Sequence, residues 1–166
     1  MAKNRLAFLK KAFPNDKVHI EDDGLCAIIF NPFYDQNVNV YYCEEDDYTP
    51  FLACFSYQHR HFSDEEDIID WINDITTGRV LAIEFFKNGQ NCFGGEITAE
   101  ELDEITYKKL ERYAVYYGTT KLLNIADSFK IRGWNIESNF DAVFVLEKDG
   151  TIAIEKNKLQ CNQVTC

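Results

Sequence analysis

The sequence predicts an α+β fold: an antiparallel β-meander with additional hairpins, packed by about four helices. Three observations lead there. Apolar or alternating runs such as LCAIIF, NVNVYYC and VLAIEFF recur, separated by short turn-forming stretches. Most of these runs are joined closely enough to be hairpins, which makes neighbouring strands antiparallel. Helical patterns are grouped between the strands, and do not alternate with them as a parallel doubly wound sheet requires. The 166 residues, 46% of them hydrophobic, suit one domain over 1–166 with an aromatic-rich core, and exclude intrinsic disorder despite the charge.

Taken in order, residues 4–13 (NRLAFLKKAF) predict a helix with Leu6, Phe8, Leu9 and Phe13 on one side, stopped by Pro14. KVHIE (17–21) is a strand that turns at Asp22-Asp23-Gly24, residues tolerant of positive φ. LCAIIF (25–30) is apolar on both faces, as a central strand is, and NPFYDQN (31–37) is a loop because Pro32 cannot donate to a ladder. NVNVYYC (37–43) places Val38, Val40 and Tyr42 on one face; EEDDYTP (44–50) is a turn, and FLACFSYQHRHF (51–62) reads as one long strand. Ser63 and Glu66 form a capping box for a helix carrying Ile68, Ile69, Trp71, Ile72 and Ile75 to Gly78.

VLAIEFF (80–86), Asn88-Gly89 and Asn91–Ile97 form the clearest hairpin, since Asn-Gly is the preferred type I′ pair. Phe85-Phe86 puts one ring outward unless a helix covers it. Thr98 and Glu101 repeat the capping box and open a helix to about Tyr117, closed by Gly118. TKLLNIADSFKIRG (120–133) predicts a further helix with Leu122, Leu123, Ala126 and Phe129 inward. A second hairpin follows, FDAVFVLE (140–147), Lys148-Asp149-Gly150 and TIAIE (151–155), and the polar tail at about 156–166 is expected to fray. Gly94-Gly95 reads as a strand bulge: with no Lys-Ser or Lys-Thr beside it, a phosphate cradle is unsupported, and no cofactor motif stands elsewhere.

Charge is the most uneven property of the chain. Residues 21–74 hold fourteen of the twenty-eight acids and a single base, Arg60. A net charge of −11 without a Lys/Arg stripe argues against nucleic acid and anionic membrane surfaces as partners. Alternate turns of an antiparallel meander lie at the same end, so Glu21, Asp22 and Asp23 should lie with Glu44, Glu45, Asp46 and Asp47, and Asp35 at the opposite end. Asp64, Glu65, Glu66 and Asp67 fall in the first turn of a helix, where the macrodipole alone accounts for them. The turn clusters are candidate contacts for a basic protein partner, because a partner that neutralises crowded like charges relieves their repulsion. Calcium is disfavoured by the lack of an EF-hand spacing.

One strand gathers potentially catalytic groups. Period two puts His59 and His61 on one face, following Phe51, Ala53, Phe55 and Tyr57, and a His-x-His pair could help ligate a metal for hydrolysis if a third donor joined it. A His paired with Cys54 or Cys92 is the nucleophilic alternative, although apolar flanks keep such thiols inert. Arg60 is expected to pair with nearby carboxylates. Trp71 and Trp134 read as core anchors. The N-terminal stretch lacks the apolar run of a secretory signal and no segment has the length of a membrane span, so a cytoplasmic protein with reduced cysteines is expected. Cys161 and Cys166 in the polar tail could be reactive or oxidised; their four-residue spacing resembles half of a zinc site, and no second pair completes it.

In size, acidity, aromatic content and lack of a catalytic motif, the whole chain resembles the small, acidic, cytosolic immunity proteins that bacteria keep against contact-dependent, nuclease-type toxins. The resemblance rests on whole-chain character and assigns no site residues. It implies a non-catalytic domain without cofactor or metal, which occludes the active site of a basic toxin domain. The alternatives are a metal-assisted hydrolase using His59 and His61, and an adaptor domain with no small ligand.

Overall fold

The computed structural model describes residues 4–14, 17–33 and 35–158, and Cys161 and Cys166 lie outside them. The fold is α+β, and the described residues form two five-stranded antiparallel sheets and four α-helices. The first sheet is an uninterrupted meander of β1 (Val18–Ile20), β2 (Cys26–Ile29), β3 (Val38–Tyr42), β4 (Phe51–Phe55) and β5 (Gln58–Phe62). The second has the order β10-β9-β8-β6-β7, with β6 (Val80–Lys87), β7 (Gln90–Thr98), β8 (Ser128–Arg132), β9 (Phe140–Leu146) and β10 (Ile152–Lys158). Helix α1 (Leu9–Ala12) precedes the meander, α2 (Glu65–Thr76) links the sheets, and α3 (Ala99–Asp103) and α4 (Tyr107–Val115) follow the β6–β7 hairpin. Among the described residues no helix is long and apolar enough to cross a membrane.

Two apolar cores meet at β6. One face of the meander, with Val38, Val40, Phe51, Ala53 and Phe55, packs on Leu6 and Leu9 and on Ile68, Trp71, Ile72 and Ile75 of α2; Trp134 and Ala82 complete it. The second core lies between the other face of the second sheet (Leu81, Ile83, Phe85, Phe129, Ile131) and α4, through Leu110, Tyr113 and Ala114. Strand β6 therefore contributes to both cores, Ala82 to one and Leu81 and Ile83 to the other. This is why VLAIEFF reads as a continuous apolar run and not an alternating one. Phe85 is buried, and Phe86 is half-buried with Lys130 Nζ 4.4 Å from its ring centroid.

Several elements differ from the sequence expectation, each for a local physical reason. The long strand over 51–62 is a hairpin: Ser56 takes φ +57° and Phe55 pairs with Gln58 across a two-residue turn. The helix expected over 120–133 is a short 3-10 turn, Leu122–Asn124, followed by β8. Leu122, Ala126 and Phe129 fit a helical period, but Phe129 and Ile131 also alternate, and pairing between β6 and β9 buries them as a strand. The helix from Thr98 breaks after Asp103, and Thr106 caps a second one by accepting from Lys109 N. Asp64, not Ser63, is the N-cap of α2, accepting from Asp67 N at 2.9 Å. Helix α1 is a single turn at Leu9–Ala12. The strand irregularity falls at Cys92, where the register shifts opposite Phe85 and Phe86; Gly94 and Gly95 stay in regular register. Residues 156–158, expected to fray, complete β10 opposite Phe140–Ala142.

Candidate functional site

Strand direction decides where the acids go. The β1–β2 and β3–β4 connections leave from the same end of the first sheet, tied side by side by Tyr42 N donating to Leu25 O at 2.8 Å. Strand β5 runs back to that end too, because its last residue Phe62 pairs with Phe51. The N-terminus of α2 therefore joins the two turns. Three clusters meet there: Glu21, Asp22 and Asp23; Glu44, Glu45, Asp46 and Asp47; and Asp64, Glu65, Glu66 and Asp67. All are exposed except Asp46, which is half-buried. Asp35 stands in the β2–β3 loop at the opposite end.

Some of these carboxylates shape their own turns. Asp46 accepts from Thr49 N (2.8 Å), Thr49 Oγ1 (2.8 Å) and Tyr48 N (3.0 Å), and these bonds, Thr49's first, hold its carboxyl below the usual range. Asp23 accepts from Leu25 N at 2.8 Å, and Asp64 caps α2. The others make no ion pair among the described residues, whose salt bridges all involve other acids. From the N-terminal segment, Arg5 places its guanidinium 5.2 Å from the Tyr42 ring centroid. Gly24 closes the first turn at φ +72°, and a Cβ there would lie 2.9 Å from Asn4 Cα, so the N-terminal segment seats directly on this turn.

The histidines lie on the outer face of the same sheet. The expectation that His59 and His61 follow Phe51, Ala53 and Phe55 is corrected by the turn at Ser56. Two turn residues reverse the chain, so His59 and His61 stand opposite Cys54 and Leu52, on the side away from the core. Their rings are 5.9 Å apart and nearly perpendicular. The third histidine, His19, lies on the same face but at the far edge, in the row His19, Ile28, Asn39, Cys54, His59. Four strand spacings of about 4.8 Å put it roughly 19 Å from His59, too far to share a ligand. Among the described residues no three His, Cys, Asp or Glu side chains form a group that could hold a metal ion.

Thiol chemistry fares similarly. Cys54 faces His59 across the ladder, but burial pushes its thiol up. Burial, Glu21 and Asp23 do the same for Cys26. Cys92, expected to be flanked and inert, is exposed at the bulge. Arg60 reaches Glu96 at 3.6 Å and lies 5.5 Å from the Phe62 ring centroid; its partner comes from the second sheet, not from the surrounding acids.

Around the acids the outer face has an apolar centre. Half-buried Cys26, Ile28, Leu52 and Cys54 surround exposed Tyr41, and Tyr48 projects from the acidic turn. Comparison with models of known protein families, with curated proteins and with solved structures returned no match for this chain.

One feature had no signal in the sequence. Gln58 stands in the run taken as a single strand, yet the Ser56 turn makes it a buried residue at the mouth of a cleft between the two sheets.

Proposed function

We propose that this chain is a non-catalytic protein-binding domain of the immunity type, acting in the cytoplasm, whose acidic sheet end receives a basic toxin domain. The observation that carries this reading is the meeting of three acidic clusters at one end of the meander, almost all exposed and without ion pairs among the described residues. Crowded like charges disfavour the compact state, and a cationic surface removes that repulsion while the field accelerates encounter. The neighbouring Tyr41, Tyr48 and Leu52 supply the apolar centre that a charged rim needs for lasting contact. Asp22, Asp23, Glu44, Glu45 and Asp47 are the contacts; Asp46 holds the turn that presents them.

The test starts with capture on the immobilised chain at low salt, with mass spectrometry to identify a basic partner. Association rates are then measured across salt for the parent and for a variant carrying Asp22→Asn, Asp23→Asn, Glu44→Gln, Glu45→Gln and Asp47→Asn. The expected result is an on-rate lower by about tenfold or more and a flattened salt dependence. An unchanged on-rate in the folded variant refutes the assignment of this surface.

A further inference from the structure

We infer that the free edge of β10 is a self-association surface, on which a second copy of this chain lays its own β10 antiparallel and extends the second sheet across both copies. The inference is independent of the acidic end. Strands β5 and β7 are sheet edges that approach each other, with Arg60 reaching Glu96 between them. Strand β1 is three residues long, and so short an edge offers little to another strand. Strand β10, the remaining edge, runs seven residues over Ile152–Lys158 without proline or glycine.

The ladder shows which of its backbone groups are free. Glu147 N donates to Thr151 O at 2.8 Å, so that pair is a bonded one. Bonded pairs recur at every second residue of an antiparallel ladder, so Ala153, Glu155 and Asn157 bond to Val145, Val143 and Asp141. Phe144 N turns the other way and donates to Asp127 O at 2.9 Å, beside β8, as this alternation requires. The N–H and C=O of Ile152, Ile154 and Lys156 therefore point out of the sheet. Among the described residues no turn, loop or side-chain hydrogen bond reaches them.

A second copy fits these groups in one register. Pairing β10 with itself about a two-fold axis at Ile154 sets Ile154 against Ile154, Ile152 against Lys156, and Ala153 against Glu155. Every outward N–H then meets an outward C=O. An axis at Glu155 sets Glu155 against Glu155, and like charges directly opposite destabilise a sheet. An axis at Ala153 sets Lys156 against Gly150, whose N–H already donates to Glu147 O at 3.0 Å. An axis between residues opposes outward groups to bonded ones. A foreign strand needs only the free backbone; a self-complementary register that uses every free group selects a second copy.

Charge and side chains favour the same partner. The sequence from 147 to 158 carries as many bases as acids, so this edge is locally neutral in a chain of net charge −11. Lysines on an edge strand normally keep a second strand away. Lys156 Nζ instead lies 4.9 Å from the Phe140 ring centroid, drawn back over its own sheet. Ile152 and Ile154 are half-buried against the second core. The pairing covers what they still expose, Ile154 with its counterpart and Ile152 with the methylene stem of Lys156.

The test is sedimentation equilibrium of the full chain from about 5 μM to about 1 mM, with amide hydrogen exchange at both ends of that range. A monomer–dimer equilibrium is expected. The amides of Ile152, Ile154 and Lys156 should exchange freely in the dilute chain and slowly in the concentrated one. Ala153→Glu sets a second carboxylate against Glu155 of the other copy and should weaken the dimer about tenfold, whereas Ala153→Lys should tighten it. Ala153→Glu combined with Glu155→Lys brings opposite charges together again and should recover the parent affinity. Melting of the dilute proteins checks that the variants fold alike. A chain that stays monomeric at the highest concentration, a dimer indifferent to the charge at position 153, or concentration-dependent protection at β1 and not β10 overturns the proposal. So does protection of the Ile154 amide by a capped peptide of alternating valine and threonine in a chain that remains monomeric, which would give the edge to a foreign strand.

Discussion

Replacing Gly95 by alanine probes how tightly the second core is built against β7. A Cβ at this position would lie 2.8 Å from Tyr113 Cε1 and 3.3 Å from Cδ1. Carbon atoms rest at about 3.5–4.0 Å, so the ring would have to retreat by roughly 1 Å. It is not free to do so. The Tyr113 hydroxyl donates to the Glu96 carbonyl and accepts from Arg112 Nη2 at 3.0 Å, and the ring sits 5.2 Å from Phe85. Overpacking of this kind costs about 1–3 kcal/mol. Loss of glycine's unfolded-state freedom offsets about 0.4–1 kcal/mol of it. The net expectation is a destabilisation of about 1–2 kcal/mol, or about 2–8 °C in melting temperature for a chain of this size. Thermal and urea unfolding of Gly95→Ala measure it, and the same change in a Tyr113→Leu background should be near neutral if the ring is the obstacle. A Gly95→Ala protein that melts at or above the parent temperature, or one equally destabilised in both backgrounds, refutes the packing argument.

Two further predictions concern α2 and α3. Asp64→Ala should cost about 1 kcal/mol by removing the cap on Asp67 N, whereas Ser63→Ala should change stability by less than about half that; urea midpoints compare them directly, and the reverse order would place the cap at Ser63. The Glu101 carboxyl is pushed down to about 2, first by hydrogen bonds from Arg112, against an ordinary value of 4.5. Because the folded value is the lower one, the resulting stability is full above about pH 4.5 and is lost as pH falls toward 2. Both partners are substantially solvated, so the pair contributes no more than about 1 kcal/mol. Glu101→Gln keeps a residue able to complete the Thr98 capping box but should flatten stability across that acid window, as read from urea unfolding at successive pH values.

The candidate site was half legible. Alternation and turn residues placed the β1–β2 and β3–β4 acids together, because a meander returns to the same end at every second turn. The third cluster was read as an isolated helix start. It joins the others only because the Ser56 turn adds a strand and brings β5 back to that end. The same turn moved His59 and His61 off the core side and buried Gln58. Ser56-Tyr57 carries no glycine or asparagine, so its positive φ is imposed by the pairing of Phe55 with Gln58 and not announced by composition.

What sequence alone determined is whatever short-range chemistry suffices to specify: the Asn88-Gly89 hairpin, the Thr98 and Glu101 cap, the turn at Gly24, the lopsided charge and the α+β class. Each depends on a few adjacent residues and their backbone preferences. The tertiary structure decided the rest. Residues 128–132 became a strand because two neighbours were available to bury Phe129 and Ile131 on both sides. The cleft at Gln58 exists because two sheet edges, far apart along the chain, come to face each other. Hydrogen bonding between distant strands outweighs local helical preference whenever it buries more apolar surface, and that balance is set only once the partners have met.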